Sequence, residues 1–239
     1  MKQLLKTADK YRSDLRQAWG DARRHLDEKT IHDLRVATRR MGAALLLLET
    51  ILGKDGASKN RRRVKRAMKK LGVLRDSQVQ ISIVRKWKSS ESVRRFLDAL
   101  EQTEKREKKV VRDYLGTGRR KRLLGKLKDF ERDATKQLKK IPDDRVQSSL
   151  QGVITQQRED VLAAREQLVK SDPASVHALR IASRKLRYSL EAAEDTIGAA
   201  PESELEELRR RQTELGEQRD LQLLDEQYAE WRKGASSGD

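Results

Sequence analysis

IHDLRVATRRM at residues 31–41 occurs again, 145 positions later, as VHALRIASRKL at residues 176–186. At about 100° per residue of an α-helix, the histidine and the first two arginines that follow it fall on one face of each copy. Leucine and alanine side chains occupy the opposite face of both copies. Each copy therefore predicts a helix with one apolar core face and one basic face.

The basic face lacks the acidic neighbours that a solvated helix normally carries. Residues 176–188 contain no Asp or Glu. Arg35 with Arg39, and Arg180 with Arg184, form like-charged pairs at i,i+4, a spacing that costs roughly a few tenths of a kcal/mol in an isolated helix. This pattern favours an anion supplied from outside the helix, and the alternative is a basic face that water alone solvates.

The overall composition indicates a folded protein that attracts polyanions. Among 239 residues, 55 Lys and Arg oppose 38 Asp and Glu, which gives a net charge of +17 and a pI near 10.1. The absence of cysteine excludes disulfides, thiolate metal sites and cysteine nucleophiles. Residues 1–6 have no apolar signal region, and no apolar run is long enough to span a membrane. We expect a soluble cytoplasmic protein that does not bind membranes.

The chain has the pattern of an all-α protein. Aromatic residues make up only 4% of it, and strand-like alternation is absent. Asp172 before Pro173 predicts a helix start, and Gly53 and Gly198 predict helix ends. The pattern predicts eight helices, near residues 4–27, 30–52, 59–88, 91–115, 119–140, 143–170, 174–197 and 202–232.

The repeat extends beyond the basic helices. LGVLRDSQ at residues 71–78 returns as LGEQRDLQ at residues 215–222, and Trp87 returns as Trp231, at an offset of 144. Two copies of a helical unit predict a pseudo-symmetric pair of bundles whose basic faces approach a shared surface. We expect one domain over residues 1–239, with its halves at 1–117 and 118–239.

These two motifs, each present twice in the same order, resemble the CHAD family, the conserved histidine α-helical domain. The resemblance covers nearly the whole chain. It implies two four-helix bundles around a central basic cavity that binds inorganic polyphosphate, and, as in some members, an association with polyphosphate granules. The motif positions it assigns to the polymer are His32, Arg35, Arg39, Arg40, His177, Arg180, Arg184, Lys185 and Arg187, and the last of these corresponds to Gly42 in the first copy. The triphosphatase activity of some relatives does not transfer, because no β-rich segment is present.

Further candidates come from the helix that follows each basic helix. Lys65 and Arg66 correspond to Arg209 and Arg210, and we expect all four in the cavity wall. We assign the sequence neighbours Arg75-Asp76 and Arg219-Asp220 to ion pairs that hold helices together. The basic runs at residues 61–63 and 119–122 are expected to be solvated surface with a secondary role in gathering polyanions.

The histidines leave two interpretations open. His32 and His177 could donate hydrogen bonds to phosphate, or they could cap or pack a helix. Metal binding is disfavoured, because no His-x-x-x-His spacing occurs and the neighbouring arginines repel a cation. The sequence offers no phosphate-binding loop and no nucleophile beside a base, so we expect neither a cofactor nor catalysis.

The sequence therefore predicts a polyphosphate-binding module whose binding weakens as salt rises. Arginine suits this ligand, because its planar guanidinium donates two hydrogen bonds to a phosphate and keeps its charge. A nucleic-acid binder is the first alternative, although the usual recognition motifs and stacking aromatics are absent, and we expect only non-specific binding. A helical scaffold that docks an acidic partner is the second.

Overall fold

The computed structural model describes residues 2–53, 55–169, 171–198 and 200–235, and these residues form α-helices without strands. The prediction of an all-α fold is confirmed. In the described part of the chain the helices are α1 (Lys2–His25), α2 (Glu28–Leu52), α3 (Asp55–Lys70), α4 (Gly72–Val84), α5 (Glu91–Tyr114), α6 (Thr117–Leu138), α7 (Asp143–Glu166), α8 (Pro173–Ile197) and α9 (Glu202–Ala235). No helix in these ranges is both long and apolar enough to cross a membrane.

The two basic helices, α2 and α8, are built alike from end to end. Each has 25 residues and begins after an aspartate, Asp27 or Asp172, whose carboxylate accepts hydrogen bonds from backbone N–H groups of the first turn. Each ends at a glycine, Gly53 or Gly198, with φ of 84° and 93°. Only glycine adopts this backbone region without steric cost, so the repeat fixes both ends of the helix.

The predicted helix 59–88 is instead two helices, α3 and α4, which is a correction. The backbone N–H of Leu71 donates to the carbonyl of Met68, three residues back, so the chain tightens there before α4 begins at Gly72. The same Leu-Gly pair at residues 215–216 lies inside the unbroken helix α9. This dipeptide therefore permits a break without requiring one, and local sequence does not distinguish the two outcomes.

The largest core cluster joins α1, α2 and α3 to α6 and reaches α7 and α8. Its members include Trp19, Leu45 and Leu127, each at most 1% exposed. Gly56 lies against the Phe130 ring, since a Cβ there would approach the ring to 2.9 Å. This close contact holds α6 on α3, although the predicted boundary at residue 117 assigns α6 to the second half. The two-half division stays a prediction.

Two smaller clusters complete the core of the described residues. One packs α7, α8 and the first part of α9 around Leu179, Leu186 and Leu208. The other joins α4 and α5 to the last part of α9 through aromatic rings, with Phe96 and Tyr228 centred 5.0 Å apart. Because α2 packs directly on α8 and α4 contacts α9, the basic helices meet between the two copies of the repeat.

Candidate functional site

A cavity of about 550 Å³ lies where α2, α4, α8 and α9 meet. Its wall carries matching residues from the two copies of the repeat, which are the pairs Arg35 and Arg180, Arg39 and Arg184, Arg75 and Arg219, and Asp76 and Asp220. His32, Val79, Gln80, Leu223, Glu226, Gln227 and Glu230 complete its lining. We call this space the central cavity.

The four arginines of α2 and α8 in this cavity lack ionic partners. Among the described residues, no carboxylate oxygen lies within 4.0 Å of Arg35, Arg39, Arg180 or Arg184. The Nε atoms of Arg39 and Arg180 are buried and donate no hydrogen bond. A buried donor left without an acceptor costs about 1–3 kcal/mol. The cavity therefore presents donors that an anion from outside would satisfy.

The guanidinium groups of α2 and α8 face one another closely enough to disfavour their own charge. Burial, followed by the charge of Arg39, lowers the pKa of both Arg35 and Arg184 to about 10. Arg180 adds to the effect on each of them. Both side chains remain protonated at neutral pH, so the repulsion persists in the unliganded protein.

Two aspartates share the cavity with these arginines, and Asp76 offsets part of the repulsion that lowers the pKa of Arg35 without forming an ion pair with it. Burial raises the pKa of Asp76 and Asp220, and Arg180 opposes the rise at both positions. Arg75 forms its ion pair with Glu28 at 2.8 Å, which joins α4 to α2. The predicted helix-joining ion pair is therefore present at Arg75, but its partner is Glu28 and not the adjacent Asp76, because neighbouring side chains on a helix diverge by about 100°.

The two histidines occupy different positions relative to the cavity. His32 lines it, whereas His177 lies exposed outside its lining. Burial lowers the pKa of both histidines, and Arg75 adds to the effect at His32 as Arg180 does at His177. In the unliganded protein the surroundings thus favour neutral imidazoles.

The cavity wall changes character along α9. After Arg219 and Asp220, the same helix contributes Glu226 and Glu230. The side chain of Gln80 donates a hydrogen bond to the Gln227 side chain at 2.7 Å, which joins α4 to this part of α9. Carboxylates there repel an anion, so a bound anion is confined to the arginines of α2 and α8.

A second cavity of about 300 Å³ adjoins the first between α2, α3 and α8, and we call it the Lys65 cavity. Arg39 and Arg184 line both spaces. Lys65 and Lys185 extend the basic lining, and Lys185 also pairs with Asp160 at 3.1 Å. Arg39 and Arg184 therefore stand between two neighbouring cavities, each with further cations.

Arg40 and Arg187, two other predicted ligands, surround a carboxylate instead of an open space. The nearest nitrogens of Arg40 and Arg187 lie 3.6 and 3.4 Å from the oxygens of Glu191. The guanidinium of Arg187 also lies over the ring of Tyr188 at 4.3 Å. The contact of Arg40 with Glu191 joins α2 to α8, and Arg40 and Arg187 are outside the lining of both cavities.

The basic pairs predicted from the following helices separate in space. Lys65 faces the Lys65 cavity, while Arg66 lines a different cleft, described below. Arg209 pairs with Glu202 at 2.7 Å, and Arg210 pairs with both Glu207 and Glu214. The structure does not bring Arg66, Arg209 or Arg210 to the central cavity.

The wall residues that sequence reasoning did not predict include two pairs related by the repeat, Arg75 with Arg219 and Asp76 with Asp220. The sequence did contain a sign of their importance, because the dipeptide Arg75-Asp76 recurs as Arg219-Asp220 at the offset of 144. Because these residues were assigned to structural ion pairs, they were not included among the predicted ligands.

Among the described residues, no group of three or more His, Asp or Glu side chains could hold a metal ion.

Comparisons with known proteins agree with this architecture. The family model described as "CHAD domain" matches residues 6–229. The crystal structure of the CHAD domain from the plant Ricinus communis superposes with a TM-score of 0.81 at 19% sequence identity, over 99% of this chain and 81% of that one. A search of curated proteins found no match. The match over residues 6–229 and the shared fold establish that the chain belongs to the CHAD domain family.

Proposed function

We propose that this protein binds inorganic polyphosphate in the central cavity, as a binding module and not as an enzyme. The observation that carries the proposal is the group of four arginines without carboxylate partners, two of which hold buried Nε donors without acceptors. A phosphate chain supplies both the charge and the oxygen acceptors that these groups lack. Family membership supports the same function.

The shape of the site favours a single phosphate chain over duplex nucleic acid. A volume of about 550 Å³ is typical of small-molecule sites, and a duplex is too wide to enter it. Its described lining residues include no Phe, Tyr or Trp on which a base could stack, so nucleic acid would contact only the outer surface, through its phosphates. Nucleic acid is therefore expected to bind non-specifically.

The proposal includes a cellular setting. Family resemblance supports a cytoplasmic protein associated with polyphosphate granules, where a module of this kind would hold or localise the polymer.

A helical scaffold is the remaining alternative, and it predicts that the arginines of the central cavity are dispensable for polyphosphate affinity.

A competition titration tests the function. Labelled polyphosphate bound to the full chain is challenged with unlabelled polyphosphate, duplex DNA or RNA at equal phosphate concentration, and fluorescence anisotropy is recorded. We expect only unlabelled polyphosphate to displace the label efficiently. Equal displacement by DNA or RNA would overturn the proposal in favour of a nucleic-acid binder.

The salt dependence of polyphosphate affinity measures how many phosphate groups the protein contacts. Each phosphate contact with a single chain contributes about −0.7 to the slope of log K against log salt, so the four unpaired arginines of α2 and α8 predict a slope of about −3. Reversing the charge of Arg35, Arg39, Arg180 and Arg184 should abolish specific binding and flatten the slope. Unchanged affinity in that variant would support the scaffold alternative.

A further inference from the structure

A cleft of about 660 Å³, separate from the central cavity, lies between α3, α5 and α6. Its floor is apolar and consists of Trp19, Val73, Val110, Tyr114 and Leu123. Two of these side chains are unusually exposed for their type, Val73 at 54% and Val110 at 51%. We call this the Trp19 cleft, and it shares no lining residue with the central cavity.

Cations stand on both sides of this apolar floor. One wall belongs to α3 and the other to α6, and together they contribute Arg63, Arg66, Lys69, Lys70, Arg119, Arg122 and Lys126. Glu107 is the single acidic residue of the lining. The basic runs at residues 61–63 and 119–122 were expected to be solvated surface, and they contribute Arg63, Arg119 and Arg122 to the lining of this one cleft.

These cations are not neutralised within the protein. Among the described residues, none of the seven has a carboxylate oxygen within 4.0 Å. Arg63 donates instead to the Asn60 side chain, and Arg119 lies over the Tyr114 ring at 4.4 Å. A partner that brings carboxylates to this cleft would meet unpaired cations on both sides.

The repeat shows that this arrangement is particular to the first copy. At the offset of 144, Arg63, Lys70 and Val73 become Glu207, Glu214 and Glu217 in α9. There Arg210, the counterpart of Arg66, pairs with Glu207 and Glu214 on its own helix. The α3 wall therefore differs from its counterpart in charge, and the pseudo-symmetry of the fold does not account for it.

The dimensions of the walls indicate the shape of the occupant. Arg63 to Lys70 on α3 and Arg119 to Lys126 on α6 each advance about 10 Å at 1.5 Å per residue. An amphipathic helix of two to three turns fits such a groove, with its apolar residues on the floor and acidic residues on both flanks. A nucleotide suits it less well, because its phosphates lie at one end only.

We propose that the Trp19 cleft docks an acidic amphipathic helix of a partner protein. This site is independent of the central cavity, so the module would hold polyphosphate at one face and a protein at another. Apolar contact with Val73 and Val110 supplies the core of the interface, and the cations of α3 and α6 supply orientation and specificity.

The test uses a synthetic helical peptide of about 14 residues, whose central two to three turns carry leucines at i, i+3, i+4 and i+7 and glutamates on both flanks. A matched peptide carries glutamine in place of each leucine. The protein variants are the charge reversals Arg66→Glu with Arg122→Glu. Their control is Arg62→Glu with Lys121→Glu, which removes the same charge from exposed positions of the same basic runs outside the cleft.

We expect the leucine peptide to bind the wild-type chain and to lose about tenfold in affinity with the cleft variant, and less than about twofold with its control. The glutamine peptide should bind about tenfold more weakly. A Val110→Gln variant, which changes no charge, should also weaken binding. Unchanged peptide affinity in the Arg39→Gln, Arg184→Gln protein separates this site from polyphosphate binding.

Several results would overturn the proposal. Failure of the leucine peptide to bind, equal binding of the glutamine peptide, or equal losses in the cleft variant and its control would leave the cleft as ordinary basic surface. Displacement of the peptide by ATP at equal concentration would assign the cleft to a nucleotide. A dimer of the chain alone that Arg66→Glu and Arg122→Glu dissolve would assign it to a second copy.

Discussion

Two pairs of arginines from the repeated segments have opposite surroundings. Arg39 and Arg184 converge from α2 and α8 without a carboxylate partner, whereas Arg209 and Arg210 on α9 each pair with glutamates of the same helix. All four are arginines of a basic segment, so residue type does not separate them. The two pairs differ in whether carboxylates lie close enough to form ion pairs with them. This difference determines which arginines remain available to a ligand.

The comparison is tested most strongly by removing each pair. Arg39→Gln with Arg184→Gln should weaken polyphosphate binding by at least about 100-fold, because each of the two charge-assisted contacts contributes roughly 1.5–3 kcal/mol. Arg209→Gln with Arg210→Gln removes the same net charge and should change affinity less than about threefold. Anisotropy titrations at one fixed salt concentration measure both. Equal losses would mean that net charge alone drives binding.

The double substitution that weakens polyphosphate binding should make the free protein more stable. Arg39 and Arg184 repel their neighbours and hold a buried unsatisfied donor, so Arg39→Gln with Arg184→Gln should raise the free energy of unfolding by about 1 kcal/mol. The α9 pair is exposed and paired, and its replacement should leave the midpoint of denaturation within error.

Urea denaturation followed by circular dichroism at 222 nm reports this difference. Polyphosphate should stabilise the wild-type chain and, at the same concentration, stabilise the Arg39→Gln, Arg184→Gln variant much less. Destabilisation of that variant would show instead that Arg39 and Arg184 support the fold, in which case their positions between the two cavities would be structural.

Local sequence predicted the ends of the basic helices and not their neighbours. Asp172, Gly53 and Gly198 act through the backbone next to them, so their roles are visible in sequence. The break at Leu71 is not visible, because the identical Leu-Gly pair in α9 is continuous. Tertiary packing determines such differences, and a single sequence does not encode packing in any local pattern.

The same limit applies to the site. The absence of acids in residues 176–188 identified Arg180 and Arg184 as cations without local partners. Glu191 reaches Arg40 only after α8 packs on α2, so no local pattern could have removed Arg40 from the predicted ligands. Glu207 and Glu214, in contrast, lie three and four residues from Arg210, and that spacing was sufficient to predict its pairing.

The smallest expected effect distinguishes the two histidines. In the free protein the pKa of His32 and of His177 lies below the ordinary value of 6.5, through burial and the neighbouring arginines. Bound polyphosphate offsets that positive charge and raises both pKa values, so binding takes up protons. Affinity should therefore rise severalfold as the pH falls from about 8 to about 5.5, and the gain should be complete below the free-state pKa values. Protonation of Asp76 and Asp220, whose pKa values burial raises above the ordinary 3.8, adds a further gain at lower pH.

Calorimetric titrations in two buffers of different ionisation enthalpy measure the number of protons taken up when polyphosphate binds. Long polyphosphate chains are used, because they minimise the contribution of the titrating end groups. Because His32 lines the central cavity and His177 does not, His32→Gln should remove most of the uptake near pH 6.5 and His177→Gln much less. Equal effects would indicate that the anion extends across the exposed end of α8 as well as into the cavity. Proton release on binding, or an affinity that does not change with pH, would show that neither imidazole lies close to the bound phosphates, and the histidines would then belong to the fold and the arginines alone to the ligand.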